Sequence, residues 1–134
     1  MMILNDPKSF VINVTGASTG RLYEGLFKAK PLLSHREKIR QDVLRRRILE
    51  TEGGAVPGED ANNIANIFSK IWVHVTEAPS WWKDARDGIE LLDEEPVIAV
   101  LNEVLRVQKE MQDSMQKQGE EAKVSLTKSP ETVK

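Results

Sequence analysis

A mainly helical α+β fold, with a short N-terminal β-hairpin followed by a bundle of about three helices, is what this sequence predicts. Three observations carry that expectation. Residues 9–30 hold two β-rich runs around a glycine-bounded turn, residues 61–76 hold the cleanest helical stripe in the chain, and residues 95–117 repeat apolar side chains at helical spacing. The whole of residues 9–118 reads as one domain, between a loose lead-in at 1–8 and a tail at 119–134 with the composition of disorder.

The hairpin comes first. Ser9–Thr15 and Arg21–Ala29 are β-rich, and Gly16 to Gly20 bound a five-residue connection. A lone hairpin is marginal in water, so it must lie on the helices, join a third strand or pair with a neighbouring subunit. Pro31 closes the region, and Ser34 with Glu37 forms a capping box that opens a helix over about 35–50. That helix is expected to bury Ile39, Val43, Leu44 and Ile48. Its other side is basic, with Arg45, Arg46 and Arg47 placed in the last turns, where positive charge suits the helix dipole. Gly53, Gly54, Pro57 and Gly58 mark a loop, and Asp60 is a candidate cap for the next helix.

The stretch 61–76 organises the rest. Ile64, Ile67, Phe68, Ile71, Trp72 and Val75 fall on one helical face, which must be buried. Pro79 stops the helix, Ser80 can cap a following turn, and Trp81 and Trp82 add two large rings. Asp87-Gly88 reads as a turn, Asp93 or Glu95 as the cap of a third helix over about 95–117, and Pro96 as a first-turn residue. The first half of that helix, to about Val107, should pack on the central one.

Composition narrows function by exclusion. With 40% apolar and 30% charged residues and a formal net charge of −2, the chain resembles an ordinary soluble domain, and no bulk attraction to nucleic acid or an anionic membrane is implied. There is no cysteine, hence no disulfide, thiolate zinc site or cysteine nucleophile. His35 and His74 lack partners at ligand spacing, so no metal site is expected, and His74 is given a plain surface or packing role. No run is long and apolar enough for a signal peptide or a membrane span, which places the expected protein in the cytoplasm.

Val11 to Gly20 resembles the first strand and glycine turn of short-chain dehydrogenases, in which backbone amides cradle a dinucleotide pyrophosphate. The spacing argues otherwise. Leu22 stands where another glycine is needed, the following segment with Tyr23, Gly25 and Phe27 is a poor helix, and the chain is short for a complete doubly wound domain. No cofactor is expected. The acidic cluster Glu90, Asp93, Glu94 and Glu95 is assigned mostly to helix-start duty, and no catalytic residue is proposed, so the chain is expected not to be an enzyme. Two features could meet a protein partner: the Trp81-Trp82 pair, which could equally complete the core, and the Arg45-Arg46-Arg47 triplet, whose simpler reading is a solvated helix end with local ion pairs.

Leu44–Leu49, the Gly/Pro loop, Ile67–Trp82 with its Ala78-Pro79-Ser80-Trp81-Trp82 segment, and Gly88–Glu95 followed by a long helix together resemble small tail assembly chaperones of long-tailed bacteriophages. The likeness spans roughly residues 20–110 and rests on texture, because no strict motif defines that family. It implies a mostly helical, non-catalytic oligomer in the host cytoplasm that binds the tape measure protein and helps the tail tube polymerise. The alternative it leaves open is a virion structural or capsid-associated protein that acts through protein contacts.

Overall fold

The computed structural model describes residues 5–52 and 58–133, and the side chains of 5–50 and 58–119. Strand β1 (Lys8–Thr15) and strand β2 (Leu22–Ala29) form the expected hairpin, in register from Lys8 opposite Ala29 to Thr15 opposite Leu22. Helices α1 (His35–Glu52) and α2 (Glu59–His74) follow, then strand β3 (Val75–Glu77), a short helix α3 (Ser80–Asp84) and the long helix α4 (Glu95–Val133). The α+β class is therefore as the sequence predicts. Of the loop expected between the first two helices, positions 53–57 lie outside the described residues.

The hairpin finds its support inside the chain. β3 pairs antiparallel with the far side of β2, giving the order β1-β2-β3, and α4 lies chiefly against β1 with lighter contact to α2. Two expectations change here. The central helix ends at His74 rather than 76, because the backbone turns extended at Val75 and continues the sheet, with Lys30 N–H donating to the His74 carbonyl. The third helix uses its first half mainly to roof the sheet, burying Val100, Val104 and Val107, rather than to pack on α2. Its backbone stays helical to Val133, over the range whose composition suggests a disordered tail. Of the expected lead-in, residues 1–4 lie outside the described residues, and Asn5 is tied to the body: its side-chain amide donates to the Leu32 carbonyl and its side-chain oxygen accepts from Leu32 N–H.

Alternation along the hairpin sorts its two faces. Phe10 and Ile12 on β1, and Tyr23, Phe27 and Ala29 on β2, point inward and are buried, while Val11, Leu22 and Leu26 point outward. Inside, an aromatic chain runs from the sheet to α2. The Phe10 and Phe27 rings stack at 5.5 Å, Phe27 meets Trp82 edge-on at 5.4 Å, and Trp82 leans on Phe68 at 6.5 Å. Room for these rings comes from glycines: a side chain at Gly25 would strike Pro79, and one at Gly88 would strike Trp82. The turn before Gly88 is left-handed over Arg86, Asp87 and Gly88, and it lets Gly88 N–H reach the Trp82 carbonyl at 3.1 Å.

Helix ends show which local signals operate. Ser34 and Glu37 form the expected capping box, with Glu37 N–H donating to Ser34 Oγ and Ser34 N–H to Glu37 Oε1. Those bonds, with Lys30 Nζ at 2.9 Å, hold the Glu37 carboxyl down to about 2. Asp60 does not cap α2: the cap position is Gly58, whose carbonyl accepts from the Asn62 side chain. α1 runs two residues past 50, which leaves Arg45, Arg46 and Arg47 short of the last turn.

Emptying the packed face of α2 should be costly. Phe68→Ala or Ile71→Ala is expected to lose about 2–5 kcal/mol in denaturant unfolding, whereas Ile64→Ala, at a side chain nearly half exposed, should lose well under half as much.

Candidate functional site

The glycine turn is a built anion receptor, and the chain fills it itself. Ser18 N–H (2.9 Å) and Thr19 N–H (3.1 Å) donate to Asp93 Oδ1, and Thr19 Oγ1 and the Tyr23 hydroxyl (2.7 Å) donate to Asp93 Oδ2. Beside it, Ala17 N–H donates to Glu95 Oε1 at 2.6 Å. Backbone amides gathered in a tight turn make a concavity for negative charge, the physics that a dinucleotide site applies to phosphate. Here the anion is the carboxylate that leads into α4. Gly16 is required for the approach, because a side chain there would coincide with the Asp93 carboxyl group.

This corrects the assignment of Asp93 and Glu95 to helix capping. Both reach back some 75 residues to the hairpin, and α4 starts at Glu95 without the Asp93 side chain as its cap. Asp93 is buried, yet its donors stabilise the charged form, so its carboxyl sits below the ordinary range; the Thr19 and Tyr23 hydroxyls are the largest causes. The same bond raises the Tyr23 phenol, which would lose its acceptor's favour on ionising. No spacing rule connects Gly16 to Asp93, so only the surplus of carboxylates before α4 hinted at a second duty.

The tryptophans separate. Trp82 is 1% exposed, wedged among Phe27, Phe68 and Gly88, and is part of the core rather than a partner-binding surface. Trp81 is half-buried: its ring meets Tyr23 and Phe27 edge-on, and its indole N–H donates to the Glu24 carbonyl at 2.9 Å. Of the arginines, Arg45 and Arg46 both pair with Asp42 at about 3 Å, while Arg46 and Arg47 stand exposed. The structure does not bring the arginines and tryptophans into one site.

His74 is fully buried, as a packing role requires. Its Nδ1 lies 2.6 Å from the Lys30 carbonyl, which can only accept, so Nδ1 carries the proton and Nε2 presents a lone pair. Nε2 meets no donor among the described residues. Burial, the largest cause, holds the imidazole below its ordinary value and hence neutral. Among the described residues no group of three or more potential metal ligands is assembled, and no helix is long and apolar enough to cross a membrane.

What the surface does offer is apolar. Val11 and Leu26 face each other across the hairpin register on its outer face, with Leu22 on the same face, and all three are more than half exposed. A second area is a groove of about 410 Å³ between α2 and α4, floored by Ile67, Phe68 and Val97 and edged by Ile64, Leu92 and Ile98. A third is α1, where Ile39 (67% exposed) and Val43 (42%) are not buried as the sequence predicts. α1 turns Ile48 inward instead, because only that side faces α2. No protein-family model, curated protein or solved structure matches this chain.

Filling the turn with a methyl group tests the latch. Gly16→Ala should cost about 3 kcal/mol or more, by overpacking against Asp93 and displacing its carboxylate from its donors, and Gly20→Ala, where φ is +74° but space is open, about 1–2 kcal/mol. Denaturant unfolding of the two variants measures the difference.

Stability should fall in two steps as the solution is acidified. A neutral buried imidazole makes the unfolded chain take up a proton first, so the His74 contribution is complete above about 6.5 and declines as pH drops below it. The Asp93 and Glu37 contributions are complete above the ordinary carboxylate range and are lost as pH falls through their depressed folded values. His74→Gln should flatten the upper step in a denaturation series from pH 8 to pH 3 and leave the lower step in place.

Proposed function

We propose that this chain is a non-catalytic binding protein that acts through protein contacts, and that it serves as a tail assembly chaperone of a long-tailed phage. In that role it binds the tape measure protein in the host cytoplasm and assists polymerisation of the tail tube around it. The observation that carries the binding role is the outer face of the hairpin, where Val11 and Leu26 form an exposed apolar pair, with Leu22 farther along the same face beyond Asn13 and Glu24, on a sheet whose inner face is already covered. Large apolar side chains side by side on the solvent face of a sheet lose free energy by staying wet, and a partner relieves it. The glycine turn supports the non-catalytic part, since the space a cofactor phosphate would take is held by Asp93 and Glu95. The specific role rests on the resemblance over residues 20–110 and on nothing in the fold itself.

Co-expression with the tape measure protein of the same phage tests this reading. The two should co-purify, and Val11→Lys combined with Leu26→Glu, an opposite-charge pair across the strands, should weaken capture at least about tenfold, which corresponds to about 1.4 kcal/mol, while the far-ultraviolet spectrum and thermal midpoint stay close to those of the parent. Mass spectrometry of purified particles should find the chain absent. Many copies per particle would instead favour a virion structural protein, and failure to capture the tape measure protein would remove the chaperone reading.

A further inference from the structure

The sheet is covered on one face and open along one edge. In β2 the backbone groups of Glu24 and Lys28, and of Lys30 just beyond it, turn toward β3 and its flanks: the Glu24 carbonyl accepts from Trp81, the Lys28 carbonyl from Thr76, and Lys30 N–H donates to the His74 carbonyl. The alternate residues of β2 therefore bond β1 through Phe10, Ile12 and Val14, and the backbone groups of Ser9, Val11, Asn13 and Thr15 point to the opposite side. β1 stands first in the order β1-β2-β3, and nothing hydrogen-bonds to that side among the described residues. Folded proteins ordinarily blunt such an edge with proline, a bulge, a charge or a cover. Here the register against β2 is unbroken from Lys8 to Thr15, Pro7 precedes the strand, and the four side chains are uncharged and exposed.

A cleft of about 350 Å³ runs beside this edge, between Lys8 and Ser9 of the strand and the flank of α4 that carries Arg106 and Glu110, with Val107 and Met111 as its apolar lining. Arg106 stands half a turn round the helix from Val97, which lines the α2 groove, so the cleft opens on the side of α4 away from α2. Its charges are already matched, since Arg106 holds both Glu103 and Glu110.

Sterics select what can occupy the edge. Neighbouring strands lie about 4.8 Å apart, and a helix with its side chains is about 10 Å across. α4 lies on β1, so pairing β1 with the β1 of a second copy would set two α4 helices about 5 Å apart on one face, where they collide. The described segments of the chain do not supply the strand either. Asn5 is held against Leu32, beyond the end of β2, and α4 stays helical to Val133. We propose that the free edge of β1 takes up an extended segment of a different protein as a fourth, antiparallel strand, about seven residues long to match Ser9 to Thr15, with an apolar side chain entering the cleft at Val107 and Met111. Main-chain bonds supply the affinity and alternate side chains the selectivity: those turned toward α4 are apolar, and those beside Ser9, Val11 and Asn13 are small and uncharged. The proposal rests on the reading of this chain as a binding protein and adds the conformation of what it binds.

The probe is a synthetic peptide of alternating valines and threonines, about seven residues long, followed by two lysines for solubility. Titrated into the isotopically labelled full chain, it should bind saturably with a Kd of about 0.1–1 mM. It should slow amide hydrogen exchange at Ser9, Val11, Asn13 and Thr15 and leave Phe10 and Ile12, already bonded to β2, unchanged. With the valines turned toward α4, the threonine N–H groups face β1, so methylating the threonine nitrogens should abolish binding. Asn13→Pro blocks the edge while every bond between β1 and β2 survives, because Asn13 N–H points away from β2. Met111→Lys puts a charge into the cleft at a half-buried side chain. Each variant should keep the parent circular dichroism and weaken the peptide at least about tenfold. A peptide that does not saturate, a threonine-methylated peptide that binds as well as the parent, or protection that maps to another surface would overturn the proposal. So would protection of the same four amides by a second copy, seen as a rise with protein concentration alone. None of these readouts uses the tape measure protein: failure to capture it removes the chaperone role and leaves the edge in place, and a peptide that fails to bind does the converse.

Discussion

The Asp93 carboxylate closing on the hairpin turn is the constraint on which the arrangement of this molecule depends. It binds two stretches some 75 residues apart, the loop of the hairpin and the entry to α4, through donors that all favour its ionised form. With that end of α4 tied to the hairpin turn, the helix is directed across β1, where Val100, Val104 and Val107 cover Phe10 and Ile12. The aromatic chain from Phe10 through Phe27 and Trp82 to Phe68 then packs beneath a sheet whose roof is already fixed. A buried carboxylate is costly unless its donors are complete, and here both oxygens are served. The bond thus specifies which part of the chain can occupy the turn.

Local signals in the sequence were legible where they act over a few residues. The hairpin follows from β-rich runs around glycines, the capping box from Ser34 and Glu37, and the body of α2 from its stripe. The features that could not be read depend on encounters between distant segments. Val75 fits the helical stripe as well as it fits a strand, and only the presence of β2 beside it converts it to β3. Ile39 and Val43 are spaced for burial, but α1 packs chiefly on α2, and Ile48 lies on the side toward it. A periodic stripe states that a face is apolar; it does not state which molecule covers it.

The candidate sites divide along the same line. Trp81 and Trp82 carry the most apolar area of any adjacent pair in the chain, and the fold takes one wholly and the other in part for its core, because Gly25 and Gly88 clear space for them. The large apolar side chains left exposed are aliphatics at the hairpin's outer face, on α1 and around the α2–α4 groove. Single exposed aliphatics are ordinary on any protein. These are grouped by register or by helical turn.

The resemblance of residues 11–20 to a dinucleotide-binding turn acquires a physical meaning once Asp93 is in place. The turn exposes the consecutive amides of Ala17, Ser18 and Thr19, and the missing side chain at Gly16 lets an anion come close to them. In a doubly wound enzyme the next element is a helix whose N-terminus adds its dipole and leaves the cavity open for a diphosphate. Here the next element is β2, which brings the Tyr23 hydroxyl to the same point and helps enclose an anion supplied by the chain. The amides of a short motif can therefore serve catalysis or architecture, and the element that succeeds the second glycine determines which.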